Sequence, residues 1–227
     1  MVVMDDQRGL RERKKQQTWG LIAQTAHRLF QEHGFDAVTV ADVAREADVS
    51  RKTVFNYFPT KEDLFYSGLE FFEAQLLEAI RERKPGESIL AAFERFVTEP
   101  RGLLAADAPD AGERPLAIIR LITGSSALLA REQQIYAGYA AALAALIAEE
   151  TRARPDDIAP WVAANAMIGL HKALVDHVRR RVLAGEHDRA RIARGLRAQA
   201  RQAVTLLEHG LGHLGAADVM PRPASHR

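Results

Sequence analysis

The chain has 227 residues, 47% of them hydrophobic and 27% charged, an ordinary globular composition long enough for one large domain or two small ones. Thirty-one Lys and Arg against 30 Asp and Glu leave a formal net charge of +1, which excludes a uniformly basic nucleic-acid coat but not a local basic patch. Cysteine is absent, which excludes disulfide frameworks, thiolate metal sites and cysteine nucleophiles.

The opening stretch, MVVMDDQRGLRERKK, lacks the apolar core of a signal peptide. No uncharged apolar run reaches the roughly 18 residues of a membrane span. The expectation is therefore a soluble, cytoplasmic protein with no membrane association. Residues 1–12 read as a flexible basic arm and 216–227 as a flexible tail, both aperiodic. Over residues 8–15, Arg8, Arg11, Arg13, Lys14 and Lys15 stand against a single acid, Glu12. Beyond it, nearly every periodic stretch repeats at three to four residues and alternating β-branched runs are missing, so the chain reads as all-α.

Three N-terminal helices can be phased. The first carries the stripe Trp19, Ile22, Ala26 and Leu29, with Gly34 at a left-handed C-cap and Phe35 closing over it. The second begins at Thr39, where Thr39-Val-Ala-Asp42 has capping-box spacing, and its stripe is Val40, Val43, Ala44 and Ala47. Ser50 caps a third helix that runs to about Phe58 and is stopped by Pro59. Thr60-Lys-Glu-Asp63 offers a capping box for a fourth. Two short helices joined by a tight turn, with alanines at their crossing, suggest a helix-turn-helix.

At 100° per residue, Val54 and Phe58 of the third helix point inward with Tyr57 beside them. Lys52, Thr53, Phe55 and Asn56 point out, and Arg51 lies on the border. That outer face has two cations, no acid, a hydroxyl, an amide and an exposed phenyl ring. A DNA major groove suits it: thymine methyls for the ring, guanine edges for Arg51 or Lys52, adenine for Asn56 and phosphates for the rest. A merely solvated basic helix is the alternative, but it gives no reason to expose Phe55.

The run from Thr39 to Leu64, TVADVAREADVSRKTVFNYFPTKEDL, strongly resembles the DNA-binding domain of the TetR family of bacterial transcriptional regulators. The Ala-x-x-Leu-Phe-x-x-x-Gly-Phe element from Ala26 to Phe35 belongs to the same signature. The resemblance covers roughly residues 15–66 and implies an N-terminal three-helix helix-turn-helix domain over 13–66. It also implies a C-terminal helical domain for effector binding and dimerisation over 67–215. Carried onto this chain, it implies that Ser50, Arg51, Lys52 and Thr53 reach bases and nearby phosphates, and that Phe55 and Asn56 touch backbone or bases. It implies phosphate contacts for Tyr57, Lys61 and Thr39. Phe55 and Asn56 stand where the family often has Tyr and His, and a phenyl has no hydroxyl to give a phosphate.

Farther on, Pro85-Gly86 separates two helices, Glu99 to Pro115 reads as a long loop, and Arg154-Pro-Asp-Asp157 starts a late helix. That helix, about 156–183, is apolar on almost every face through Ile158, Trp161, Val162, Met167, Ile168, Leu170, Leu174, Val175 and Val178. Such a helix should be buried on both sides, with Ala163, Ala164, Gly169 and Ala173 allowing close approach. The next, about 188–210, has the stripe Ile192, Leu196, Ala203, Leu206 and Leu207. The resemblance implies that these two helices form a homodimer interface; an intrachain core is the alternative. Two half-sites also match a pseudo-palindromic double-stranded DNA operator.

Helical ligand pockets are mostly apolar with a few converging polar groups. The candidates here are Phe93, Phe96, Arg120, Thr123, Tyr136, Tyr139, Asn165 and His171. Arg120 stands out, because an arginine in an apolar run needs an anion, either a carboxylate of the fold or an acidic effector. Ser125-Ser-Ala-Leu-Leu-Ala-Arg-Glu and the following Tyr/Ala-rich helix loosely resemble a TetR subgroup likened to acyl-CoA-binding regulators, which implies a lipophilic or acyl-type effector.

An all-α enzyme is the rival from another class, but no nucleophile, acid–base or metal constellation has convincing spacing. His209 and His213 stand four apart, though with glycines between and no HExxH glutamate; His171, Asp176 and His177 lack a nucleophile in register. No enzyme activity, cofactor or metal is expected. An adaptor without DNA binding is a second rival, and an activator rather than a repressor a third. The reading favoured is a repressor whose effector changes the spacing of two recognition helices from about 34–36 Å.

Overall fold

The structure, a computed structural model, describes residues 3–68, 70–99 and 114–210, with side chains for 12–68, 72–99 and 115–210. Among the described residues it is all-α. The first four helices are α1 (Val3–His33), α2 (Val40–Glu46), α3 (Arg51–Tyr57) and α4 (Lys61–Phe65). There follow α5 (Glu70–Arg81), α6 (Ile89–Thr98), α7 (Arg114–Gly124), α8 (Ser126–Thr151), α9 (Ala159–Leu183) and α10 (Arg189–His209). No described helix is long and apolar enough to cross a membrane.

Local rules set the N-terminal boundaries. Gly34 leaves α1 at φ +84 and donates its N–H to Phe30 O at 3.0 Å, while the rings of Phe30 and Phe35 pack 5.1 Å apart. Reciprocal capping boxes start α2 (Thr39 with Asp42) and α4 (Thr60 with Asp63), and the Ser50 hydroxyl caps α3. Between α2 and α3 the chain turns through Asp48 at φ +52, and Val49 N–H closes on Ala44 O at 2.9 Å. α1 is continuous from Val3, so residues 3–12 of the stretch expected as a loose arm are drawn into the helix.

Ile22, Ala26, Phe30, Val43, Val54 and Leu64 pack into one core that also takes Ile122 of α7 and Leu128 of α8. The N-terminal unit thus shares its interior with the C-terminal helices, although the sequence places a boundary at 66/67. A second core joins α5, α6, α8, α9 and α10 around Phe93, Phe96, Leu143 and Met167. At the far end, Arg83 forks onto Glu150 at 2.9 and 2.5 Å, tying the close of α5 to α8. The Arg181 guanidinium lies against Gly195 of α10, where a Cβ would lie 2.0 Å from Nη1 and would push that flexible side-chain end aside.

The sequence expectation for α9 needs one correction, at its start. It starts at Ala159, not near Asp156: Pro155 and Asp156 fall in a turn, Asp157 Oδ1 accepts the Ala159 N–H at 2.9 Å, and Pro160 occupies the first turn. Within one chain α9 is buried on one side only. Met167, Ile168, Leu170 and Leu174 are buried, whereas Ile158, Trp161 and Val162 stay 73%, 53% and 60% exposed. Asn165, Gly169 and Ala173 continue the open face. The loop expected over Glu99–Pro115 lies mostly outside the described residues, as do His213 and the tail over 216–227.

Candidate nucleic-acid interface and effector cavity

α3 buries Val54 and presents Arg51, Lys52, Phe55 and Asn56 to solvent, with Phe55 44% exposed. These four side chains make no ion pair or polar contact among the described residues, so their charge and donors face outward unused. Ser50 and Thr53 are less free. Ser50 Oγ accepts the Thr53 N–H at 3.0 Å, and the two hydroxyls lie 2.8 Å apart. Tyr57 is half-buried at the end of the helix.

Two residues expected on phosphates hold the fold together. Thr39 donates its hydroxyl to Asp42 Oδ2 at 2.6 Å and its N–H to the same oxygen at 3.0 Å. With Arg45 these bonds hold the Asp42 carboxyl down at about 2. Lys61 Nζ donates to Phe35 O at 2.8 Å and Val38 O at 2.9 Å and sits 4.1 Å over the Phe35 ring. The ammonium therefore clamps the α1–α2 loop and keeps one of its three N–H donors for anything outside.

Among the described residues, three residue pairs join this unit to the helices behind it through polar contacts. Tyr66 donates its hydroxyl to Leu128 O at 3.1 Å, and Ser125 Oγ donates to Asp36 Oδ1 at 3.3 Å. Arg131 of α8 donates to Asp63 Oδ1 from Nε at 2.9 Å and from Nη2 at 2.7 Å. The sequence reading missed this ion pair, whose partners stand 68 positions apart.

A cavity of about 530 Å³ opens behind α4, walled by the α4–α5 turn and by α5 to α10. Four of the eight effector candidates converge there: Phe96, Tyr136, Tyr139 and His171. Phe72 links them, its ring stacked on His171 at 4.7 Å and on Tyr139 at 5.3 Å, and edge-on to Phe96 at 5.2 Å. Burial pushes the His171 imidazole down to about 4, so it is neutral at neutral pH. Burial, then the Glu132 charge, pushes the Tyr136 phenol upward.

The other four candidates lie elsewhere. Phe93 is fully buried in the second core. Arg120 and Thr123 are exposed, because α7 turns Ile118, Ile119 and Ile122 to the cavity and places 120 and 123 on its far side. Thr123 hydroxyl donates back to Ile119 O at 2.9 Å. Asn165 is on the open face of α9 and donates to Trp161 O at 2.8 Å. The arginine in an apolar wall is Arg179, not Arg120. Its guanidinium forks onto Glu132, one bond at 2.9 Å, with the two side chains 13% and 7% exposed. The sequence signal for it was Glu132, the one acid in the first half of α8.

The comparisons with known proteins agree with this architecture. The description "Bacterial regulatory proteins, tetR family" matches residues 22–67, and "MftR C-terminal domain" matches 87–211. The mycofactocin biosynthesis transcriptional regulator MftR of Mycobacterium tuberculosis, so named, is 29% identical over 170 residues, 73% of this chain and 81% of that one. The HTH-type transcriptional regulator TcmR of Streptomyces glaucescens is 27% identical over 124 residues, 54% of this chain and 55% of its own. In fold, the chain is similar to NalD of Pseudomonas aeruginosa, with a TM-score of 0.52 at 20% identity over 83% of this chain and 96% of that one. The chain belongs to the TetR family of bacterial regulatory proteins, which are DNA-binding transcriptional regulators and not enzymes.

Proposed function

We propose that the protein is a ligand-released repressor that binds a pseudo-palindromic operator as a homodimer. The carrying observation is the double placement of Tyr66, which belongs to the N-terminal core and also walls the cavity behind α4. An occupant pressing on Tyr66 acts directly on the unit that carries α3. Arg51, Lys52, Phe55 and Asn56 are the base-reading set, in keeping with their exposure and lack of partners. Ser50, Thr53, Tyr57, Thr39 and the remaining donor of Lys61 serve phosphates.

The dimer is assigned to α9 and α10. The open apolar face of α9, from Ile158 through Val162 to Gly169 and Ala173, favours a helix packed against its symmetry mate. The effector is a lipophilic, acyl-type molecule seated against Phe96, Tyr136, Tyr139 and His171. Ile118, Ile119, Ile122, Leu174 and Val178 supply the apolar wall, and a neutral His171 with neutral phenols adds no net charge.

The deciding experiment is salt-dependent binding of the purified protein to DNA from upstream of its own coding sequence, beside random DNA of equal length. The expected result is selective binding of two subunits per palindrome, weakened by long-chain acyl compounds. Binding no better than to random DNA at every salt concentration would count against the reading.

A further inference from the structure

A second cavity, of about 410 Å³, lies at the junction of the two units and is separated from the effector cavity by Tyr66, Ile135 and Tyr139. One wall comes from the N-terminal unit: Trp19 and Phe58, with ring centroids 5.7 Å apart, and Tyr57 beside them. The other comes from α5 and α8 and carries Glu73, Arg131 and Gly138. We infer that this cleft is a small-molecule site for a planar organic cation, such as an aromatic amidine or amine.

Charge decides the ligand class. Arg131 is held by Asp63 and also donates to Gln134 Oε1 at 3.0 Å, so that pair is internally neutral. Glu73 is the remaining carboxylate on the lining, and it makes no ion pair or hydrogen bond among the described residues. Nothing on Gly138 covers it: a Cβ at that position would lie 4.0 Å from Glu73 Oε2, so the missing side chain leaves the approach to the carboxylate open. An aromatic wall facing one unpaired carboxylate suits a flat cation, which gains from the ring faces and from the acid together. An anion meets repulsion there, and a neutral ring gains stacking alone. The effector cavity differs, because a cation reaching Glu132 would strand the buried Arg179.

An occupant of the cleft touches both units at once and therefore stabilises the junction as it stands. Any effector that moves the junction is then opposed by the cleft ligand, and by reciprocity each weakens the other.

The test is a titration of the full-length protein with benzamidinium, with neutral benzamide as the control. Benzamidinium should quench tryptophan emission saturably with a Kd below about 1 mM, and benzamide should bind at least about tenfold more weakly. The quench should vanish in Trp19→Phe, which identifies the reporter. Glu73→Gln should weaken binding about tenfold by calorimetry. Gly138→Leu fills the space with a better helix former, so it should block binding while leaving the circular dichroism unchanged. If Glu73→Gln folds poorly, Gly138→Leu decides alone. Equal affinity for benzamide, unchanged binding in a folded Glu73→Gln or Gly138→Leu variant, or no saturable quench would each overturn the inference.

Discussion

Arg51 and Lys61 are both cations near the proposed DNA face, yet their surroundings give them different work. Arg51 has its whole guanidinium free at the first turn of α3, whereas Lys61 gives two donors to Phe35 O and Val38 O. Arg51→Ala should therefore leave folding intact and remove discrimination of about 1–3 kcal/mol between operator and random DNA. Lys61→Met should lower the Tm and weaken binding to both DNAs alike, because it frees two loop carbonyls as well as removing a charge. Fluorescence anisotropy on the two DNAs, with a melt of each variant, separates the outcomes. Equal losses on both DNAs for Arg51→Ala would remove it from the base-reading set.

His171 makes a prediction about pH. Its imidazole is pushed down to about 4 in the folded chain from an ordinary 6.5. Above about pH 6.5 both folded and unfolded forms are neutral there, and its full contribution is present. As pH falls from 6.5 towards 4 the unfolded chain takes up the proton first, so stability is lost over that window. The loss should be about 2 kcal/mol, because the ring is only partly shielded from solvent. His171→Phe keeps the ring on Phe72 and should flatten this part of the stability curve in urea melts between pH 7 and pH 4. An unchanged slope would mean that the ring is better solvated than its packing implies.

At the scale of elements, the starts of α2, α3 and α4 were readable from sequence because a cap is a local device, fixed by a side chain and an N–H three residues on. The inward residues Val43, Val54 and Phe58 were readable from periodicity for the same reason. The facing of α7 was not. Periodicity finds an apolar stripe but does not say that Ile118, Ile119 and Ile122 meet a cavity while Arg120 meets water. That depends on where α8 and α9 lie. Likewise the apolar character of α9 was visible, but not that its buried and open faces divide between Met167 and Val162. The open face carries its own prediction: Val162→Asp, or Ile158→Asp, should leave the monomer fold intact and shift the protein towards monomer in sedimentation velocity. Operator affinity should fall at least about 100-fold, since two linked half-sites bind far more tightly than one. A variant that stays dimeric would move the interface off this part of α9.

Across the whole molecule, the two cores meet at α4 and the first turns of α8, and there adjacent residues face opposite ways. Glu132 turns into the effector cavity to pair with Arg179, while Arg131 turns to the N-terminal unit to pair with Asp63. A ligand that disturbs the first pair displaces a stretch of helix that holds the second, so Arg131–Asp63 is well placed to carry effector occupancy to α4 and α3. The pair is partly exposed, at 35% and 17%, and its worth is therefore about 1 kcal/mol. That corresponds to about a fivefold change in how strongly effector lowers operator affinity. Arg131→Met should keep effector affinity within about twofold and operator affinity near that of the parent, yet reduce release by this factor. Asp63 also caps α4, so Asp63→Asn carries a separate stability cost. The double variant resolves the two effects. If the residues act as one contact, Asp63→Asn adds nothing to the coupling already lost in Arg131→Met, although it lowers the Tm further. Additive losses of coupling would instead mean that the signal crosses the junction elsewhere, with the Tyr66 hydroxyl on Leu128 O the next contact to remove.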